Sequence, residues 1–266
     1  MTTLQEAFGR AKAENRAALI GYLPAGYPDV PGAIDAIAAM VEAGVDIVEV
    51  GLPYTDPLMD GPTIQHAVEA ALAGGVTIAD VLRTVEAAAN TGAAALVMTY
   101  WNPVERYGLQ AFAKDLRTVG AAGAITPDLI PDEAGPWIEA TDAVGLDRVF
   151  LVAPSSTDAR IALTADATTG FVYAASTMGV TGARTTVSNR AEELVARVRP
   201  HTNRPVAVGL GVSTGKQAAE VARFADGIIV GSALVRCLID NPDAGSRRRA
   251  ITALSQELAA GVRGEA

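Results

Sequence analysis

The sequence predicts an α/β fold, a single (β/α)8 TIM barrel over residues 1–266 with an extra helix before its first strand. The chain has 266 residues, half of them hydrophobic, which is the usual size of such a barrel. Short β-branched or apolar runs recur at intervals of about 20 to 30 residues, and an Ala-rich helical segment follows each of them. Eight such units succeed one another without a linker, which favours a closed barrel over an open doubly wound sheet.

The predicted elements begin, in chain order, with the extra helix at residues 4–12. The eight strands are predicted at residues 19–23, 46–50, 94–99, 123–126, 148–152, 170–174, 205–208 and 227–230. The helices between them show one apolar face, as where Ile34, Ile37 and Val41 fall at i, i+3 and i+7. Strands that alternate with such helices are typical of βαβ units, whose strands run parallel.

The charge balance and the single cysteine narrow the class of protein. The formal net charge is −9 without a basic run, which argues against nucleic acid or an anionic membrane surface as a partner. Cys237 alone cannot form an internal disulfide, and a reducing compartment is the default. The sequence contains neither a signal-peptide pattern nor an apolar stretch of about 18 residues. We therefore expect a soluble, cytoplasmic protein.

Glu49 lies near the end of the second predicted strand, where the active sites of such barrels are found. Side chains alternate along a strand, so Ile47 and Glu49 share one face. A glutamate against the apolar helices would cost several kcal/mol, and we therefore expect Glu49 to point into the barrel. Burial there would raise its pKa, which suits a proton donor and acceptor. The alternative is an ion pair, but no predicted strand end carries a lysine or arginine that could serve.

The loop after this strand, PYTDPLMDGP, contains Asp56 and Asp60. Asp-Pro and Asp-Gly pairs are ordinary turn chemistry, and residue type alone favours a turn role for both. Asp60 is the stronger candidate for catalysis because its loop is predicted to lie over the site that holds Glu49.

Three glycine motifs follow the last three predicted strands: GVTGAR at 179–184, VGLGVS at 208–213 and VGSALV at 230–235. Glycine allows close approach of the backbone to a ligand, and a helix N-terminus attracts an anion. The loops after strands seven and eight often bind phosphate in this fold. The sequence therefore predicts a phosphate monoester as substrate.

The residues that Schiff-base, metal-dependent or dinucleotide-dependent enzymes need are not found at the positions those sites require. The three lysines, Lys12, Lys114 and Lys216, are predicted on helices, which disfavours a Schiff-base aldolase. His66 and His201 are too far apart in sequence to resemble a metal-ligand pair. The first strand is not followed by GxGxxG, so a dinucleotide site is not indicated. The remaining possibility is acid–base chemistry by carboxylates on a substrate whose phosphate is held by the backbone.

The stretch VEVGLPYTDPLMDGPTIQ, residues 48–65, closely resembles the signature of the tryptophan synthase α subunit family. The resemblance covers the whole chain, through GYLPAGYPD, MTYWNPV, YAASTMGVTGAR, VGLGVS and VGSALV. It implies a lyase of tryptophan biosynthesis, which cleaves indole-3-glycerol phosphate to indole and glyceraldehyde 3-phosphate by a retro-aldol step. Glu49 would carry both proton transfers, and Asp60 would hold the indole N–H.

The resemblance also implies substrate-binding residues. Their counterparts here are Tyr22 and Tyr100 around the indole, Tyr173 lining the site, Thr181 on a mobile loop, and Gly182, Gly211, Gly231 and Ser232 at the phosphate. Tyr22 stands where many members have phenylalanine, and Thr55 where serine is frequent. The loop 126–135 departs further from the family pattern, with Asp128 as a possible polar contact.

The family further implies a β subunit as partner, in an α2β2 heterotetramer. The β subunit carries pyridoxal phosphate and receives indole through a tunnel, whereas no cofactor is expected in this chain. Asp56 and Pro57 are candidates for the subunit contact. One alternative is another phosphate-binding barrel enzyme such as indole-3-glycerol phosphate synthase, which would need a strand-end lysine. The other is a non-catalytic regulatory subunit, against which the presence of both Glu49 and Asp60 argues.

Overall fold

Nine parallel strands form one sheet in the computed structural model, which describes residues 3–175, 184–209 and 211–265. The strands are β1 Ala18–Pro24, β2 Ile47–Gly51, β3 Ala94–Met98, β4 Gly123–Ile125, β5 Asp147–Val149, β6 Leu151–Val152, β7 Val172–Ala175, β8 Val206–Gly209 and β9 Gly227–Val230. Their order in the sheet is β5-β4-β3-β2-β1-β9-β8-β7-β6.

The sheet closes into a barrel at Phe150. Strands β5 and β6 end the sheet order at opposite sides, yet Phe150 is the only residue between them in the chain. β5 pairs with β4, and β6 pairs with β7. The two short strands together correspond to the single predicted strand at 148–152, so the eight-unit barrel is confirmed with one strand interrupted.

The helices surround the barrel, and several connections contain two of them. They are α1 Thr3–Ala13, α2 Val30–Glu42, α3 Pro62–Ala73, α4 Ile78–Asn90, α5 Trp101–Tyr107, α6 Leu109–Thr118, α7 Gly135–Val144, α8 Asp158–Ala167, α9 Arg184–Val198, α10 Gly215–Ala222, α11 Ser232–Ile239 and α12 Ala244–Val262. Short 3-10 helices span Pro131–Glu133 and Arg199–His201. Within the described residues, no helix is long and apolar enough to cross a membrane.

Two apolar layers hold these elements together. The outer layer lies between strands and helices and includes Val48 and Val50 of β2. The inner layer fills the barrel and includes Ile47 of β2, together with Leu4 and Phe8 of α1. The Phe8 ring packs on Phe171 with 5.6 Å between centroids. The predicted extra helix α1 therefore exists, and its apolar face packs into the inner layer.

A buried ion pair aligns the beginnings of β1 and β2. Arg16 Nη1 and Nη2 donate to Asp46 Oδ2 and Oδ1 at 2.6 and 2.8 Å, and Asp46 Oδ2 also accepts from Leu19 N–H at 2.9 Å. Both side chains are almost inaccessible to solvent. The contacts hold the register in which Tyr22 of β1 lies beside Glu49 of β2.

Arg16→Ala is expected to lower the free energy of unfolding by about 3 to 5 kcal/mol, because it leaves the Asp46 carboxylate buried without its partner. Urea unfolding measures the change. Arg83→Ala is the matched control, since Arg83 pairs with Asp80 at 3.1 Å on an exposed helix surface. That variant should lose no more than about 1 kcal/mol. Equal losses in the two variants would contradict the aligning role of Arg16.

Candidate active site

Glu49 points into the barrel, as its strand position predicts. Its neighbour Ile47 packs into the inner layer, whereas Val48 and Val50 pack into the outer one. Residues two apart on a strand share a face, so the Glu49 side chain lies with Ile47. Tyr22 of β1 and Leu96 of β3 are its partners in register on either side. Glu49 is completely buried.

The Glu49 carboxyl group is buried without compensation. Neither Oε1 nor Oε2 has a hydrogen-bond partner within the part of the chain that the structure describes. Burial raises the pKa of Glu49 to about 8, because a charged carboxylate loses its hydration there. The side chain is thus largely protonated near neutral pH and has no partner to displace before it transfers a proton. The ion-pair alternative finds no support among the described residues.

Two tyrosines border Glu49 and depend on glycines for their space: Tyr22 is buried, and Tyr173 is partly buried. Tyr22 extends over Gly51 of β2, where an added Cβ would lie 2.7 Å from its ring carbon Cζ. Tyr173 of β7 extends over Gly209 of β8, where an added Cβ would lie 2.7 Å from its Oη. Burial raises the pKa of both tyrosines, and the Glu49 charge contributes to each shift. The sequence motifs did not single out either glycine, although a glycine that ends an apolar strand often marks a close approach of another group to the backbone.

Asp60 is held over the barrel mouth by Tyr100, which follows β3. Tyr100 Oη donates to Asp60 Oδ1 at 2.9 Å and accepts from Met59 N–H at 3.0 Å. Gln65 Nε2 donates to the Asp60 carbonyl oxygen at 2.8 Å. Desolvation raises the pKa of Asp60, and the Tyr100 hydrogen bond opposes that rise. The charges of Asp60 and Glu49 both contribute to the raised pKa of the Tyr22 hydroxyl, as expected of carboxyl groups on the same side of the barrel as Tyr22.

Asp128, in the loop after β4, supports the loop after β3 that carries Tyr100. Both of its carboxylate oxygens accept from Trp101 N–H, at 2.9 and 3.0 Å. Trp101 is the first residue of α5 and directly follows Tyr100. The possible polar contact expected of Asp128 is therefore a helix cap, which satisfies a free N–H at the start of α5.

The loops after β8 and β9 place backbone atoms at the barrel mouth. Gly231 directly precedes α11, so the N-terminus of this helix has no side-chain cap from its N-cap residue. Ser232 is the exposed first residue of the helix. Gly211 has φ +73°, a conformation that favours glycine. A Cβ at Gly231 would lie 3.5 Å from Tyr22, so this loop borders the same tyrosine as Glu49. Thr181 and Gly182 lie outside the described residues.

The outer edge of the loop after β2 is exposed. The Asp56 carboxylate accepts from Thr55 Oγ1 at 2.5 Å, and Pro57 is half-buried. Leu58 is 75% exposed and Met59 is 45% exposed, which is unusual for large apolar side chains. The sequence did not single out these two residues.

The lysines and histidines that other reaction types would use lie on helices. The three lysines are exposed on helices α1, α6 and α10, as predicted. His66 lies on α3 and His201 ends a 3-10 helix, so the two lie on separate elements. Among residues 3–175, 184–209 and 211–265, no group of three or more His, Cys, Asp and Glu side chains could hold a metal ion.

The chain is similar to one protein family along nearly its whole length. A family model described as tryptophan synthase alpha chain matches residues 8–263. The tryptophan synthase alpha chain of Salinispora arenicola is 60% identical over 263 residues, which cover 99% of this chain and 98% of that protein. The alpha chain of Mycobacterium ulcerans is 61% identical over 256 residues, which cover 96% and 93%.

Solved structures show the same similarity. A ligand-free mutant form of tryptophan synthase from M. tuberculosis gives a TM-score of 0.91 at 55% identity, covering 99% of this chain and 100% of that chain. Tryptophan synthase subunit alpha from Legionella pneumophila gives a TM-score of 0.90 at 29% identity, covering 99% of each chain.

The raised pKa of Glu49 predicts a pH-dependent stability. The unfolded chain ionises Glu49 near its ordinary value of 4.5, whereas the folded chain does so at about 8. The stability that the protonated side chain contributes is complete below the lower pKa and is lost as pH rises through the upper one. Glu49→Gln, which cannot ionise, should gain on the wild type by up to about 1.4 kcal/mol per pH unit between these limits. Urea unfolding of both proteins from pH 4.5 to 9 measures this; a difference that does not change with pH would contradict a neutral buried Glu49.

Proposed function

The chain belongs to the tryptophan synthase alpha chain family, and we propose that Glu49 transfers the protons of its reaction while Asp60 stabilises the charge that develops. It is a lyase of tryptophan biosynthesis that catalyses the α reaction, the cleavage of indole-3-glycerol phosphate to indole and glyceraldehyde 3-phosphate. The observation that carries the proposal is the fully buried Glu49 carboxyl, unpaired among the described residues, in one site with an anchored Asp60.

Glu49 acts first as an acid and then as a base. Its proton is transferred to carbon 3 of the indole ring, which makes the ring a leaving group. The hydroxyl on the adjacent glycerol carbon then returns a proton to the carboxylate as the aldehyde forms. The carbon–carbon bond breaks, and its electron pair goes back to the ring. A pKa of about 8 suits both transfers, because the proton donor must be protonated before the first step.

Asp60 stabilises the charge that this protonation creates. Positive character develops on the indole nitrogen, and a carboxylate that accepts the N–H offsets it. The indole ring itself takes up the electrons, so the reaction needs no imine. Desolvation strengthens the interaction between Asp60 and that charge.

The remaining predicted residues hold the substrate. The rings of Tyr22, Tyr100 and Tyr173 enclose the indole. The phosphate binds to the backbone of Gly211, Gly231 and Ser232, at a helix N-terminus that favours an anion. By motif, Thr181 closes toward Asp60 and Gly182 contributes to the phosphate site.

The partner is a tryptophan synthase β chain. The M. tuberculosis structures similar to this chain come from tryptophan synthase, and one is described as aminoacrylate-bound. Asp56 and Pro57 contact the partner, together with the exposed apolar side chains of Leu58 and Met59. The complex is an α2β2 heterotetramer in the cytoplasm, with pyridoxal phosphate in the β chain and no cofactor in this one. The α chain contributes a single barrel domain over residues 1–266.

A regulatory subunit without its own activity is the second candidate. It would use the same exposed loop to bind a β chain but would release no indole. An assay of indole release from indole-3-glycerol phosphate, with and without the β chain, separates the two. Indole release by the purified α chain alone excludes the regulatory role.

Glu49→Gln is expected to reduce indole release by at least about 100-fold, because the amide can neither donate nor accept the transferred proton. The variant keeps the size of the side chain, and far-UV circular dichroism should match that of the wild type. The measurement is the steady-state release of indole from indole-3-glycerol phosphate. Release at the wild-type rate by the folded variant would remove Glu49 from the mechanism.

Asp60→Asn is expected to lower kcat by about 100- to 1000-fold, because a neutral amide no longer stabilises the positive charge on the indole nitrogen. The same assay measures it, with substrate varied so that kcat and KM are separated. Wild-type kcat in this variant would exclude electrostatic stabilisation by Asp60.

A further inference from the structure

We propose that Tyr100 is a positioning residue for Asp60, so that its hydroxyl acts on the loop after β2 and not on the substrate. The inference rests on the proposed role of Asp60. Family resemblance places the Tyr100 ring beside the indole, but it assigns nothing to the hydroxyl. In the structure that hydroxyl donates to Asp60 Oδ1 at 2.9 Å and accepts from Met59 N–H at 3.0 Å, and both groups belong to the loop.

The two hydrogen bonds use the donor and the acceptor capacity of one phenol. Accepting from Met59 N–H leaves the hydroxyl proton directed to Asp60, so the two bonds support each other. They join residues that are 40 and 41 positions apart in the chain. Tyr100 itself is buried, with only 5% of its surface accessible, and a buried anchor holds an otherwise exposed loop.

The Tyr100 backbone is fixed as well. Asp128 accepts from the N–H of the next residue, Trp101, with both carboxylate oxygens. The loop after β4 therefore holds the loop after β3, and Tyr100 in turn holds the loop after β2. A phenol on such a support keeps its direction, which is what a positioning group needs.

The consequence for Asp60 is a fixed orientation. Tyr100 occupies Oδ1, which leaves Oδ2 for the indole N–H. The donated bond also stabilises the ionised form of Asp60 and opposes the desolvation that raises its pKa. A Tyr100 ring without its hydroxyl would still enclose indole, but Asp60 would be free to rotate and would hold its proton to higher pH.

The test is Tyr100→Phe, which keeps the ring and removes the hydroxyl. We expect kcat/KM for indole-3-glycerol phosphate to fall about 10- to 100-fold, mainly through kcat, since a hydrogen bond to a charged group is lost. The acid limb of the pH profile should move to higher pH, because the pKa of Asp60 rises and the reaction needs its ionised form. The basic limb, which reports Glu49, should stay in place.

Tyr107→Phe is the matched control. Tyr107 also donates its hydroxyl to an aspartate, Asp115 Oδ2 at 2.6 Å, but the pair joins α5 to α6 away from the catalytic carboxyl groups. This variant loses the same kind of bond and should keep both limbs of the profile and a kcat within about twofold of the wild type. Circular dichroism of both variants across the same pH range shows whether they stay folded, so that acid unfolding is not mistaken for the expected shift.

The outcomes separate this inference from the proposed function. Full activity in Asp60→Asn removes the proposed role of Asp60, whatever Tyr100→Phe does. With Asp60→Asn impaired, wild-type kinetics in Tyr100→Phe would overturn the positioning role. A slower Tyr100→Phe enzyme with an unmoved acid limb would also overturn it, because the hydroxyl would then act elsewhere than on Asp60.

Discussion

The burial of an unpaired carboxyl group inside the barrel is the constraint on which the rest of the site depends. Glu49 has no hydrogen-bond partner within the described residues, so it remains in the apolar interior by keeping its proton. In the proposed mechanism, the same absence of partners makes that proton available to the substrate. A cation beside Glu49 would have stabilised the carboxylate and removed the acid from the site. At pH values above the ordinary pKa of a glutamate, the buried carboxyl group therefore lowers the stability of the fold. In the proposed mechanism, the same burial keeps a proton that can be transferred.

The strands position Glu49 and the tyrosines of the site, and a loop carries Asp60. The register of β1 against β2, held by the Arg16–Asp46 pair at the strand beginnings, puts Tyr22 beside Glu49. Gly51 and Gly209 provide space for tyrosine rings that would collide with any larger residue. Asp60, by contrast, lies on a loop with exposed apolar side chains. Its side chain accepts a hydrogen bond from the Tyr100 phenol, so in the proposed mechanism a partner that contacts this loop can act on the chemistry through a short chain of bonds.

The loop after β2 connects chemistry to assembly in the proposed complex. The hydrogen bond from Tyr100 holds the Asp60 side chain on the inner side of the loop, whereas Leu58, which precedes Met59, is three-quarters exposed. Burial of that outer edge by a β chain would restrain the backbone that carries Asp60. Conformational coupling of this kind needs only that the partner favours one arrangement of the loop over another. The loop after β9, part of the proposed phosphate site, borders the same mouth, where Gly231 approaches Tyr22.

Local patterns in the sequence determined the barrel, the extra helix and the inward direction of Glu49, because alternation and helical periodicity depend only on residues a few positions apart. The motif resemblance added the reaction and the candidate residues. Only the tertiary structure decided that the barrel closes at Phe150, that Gly51 and Gly209 make room for tyrosines, and that Tyr100 holds Asp60. These contacts join residues about 30 to 40 positions apart or on different strands, and no short-range pattern encodes them. They exist because closure of the sheet brings the ends of successive strands to one mouth.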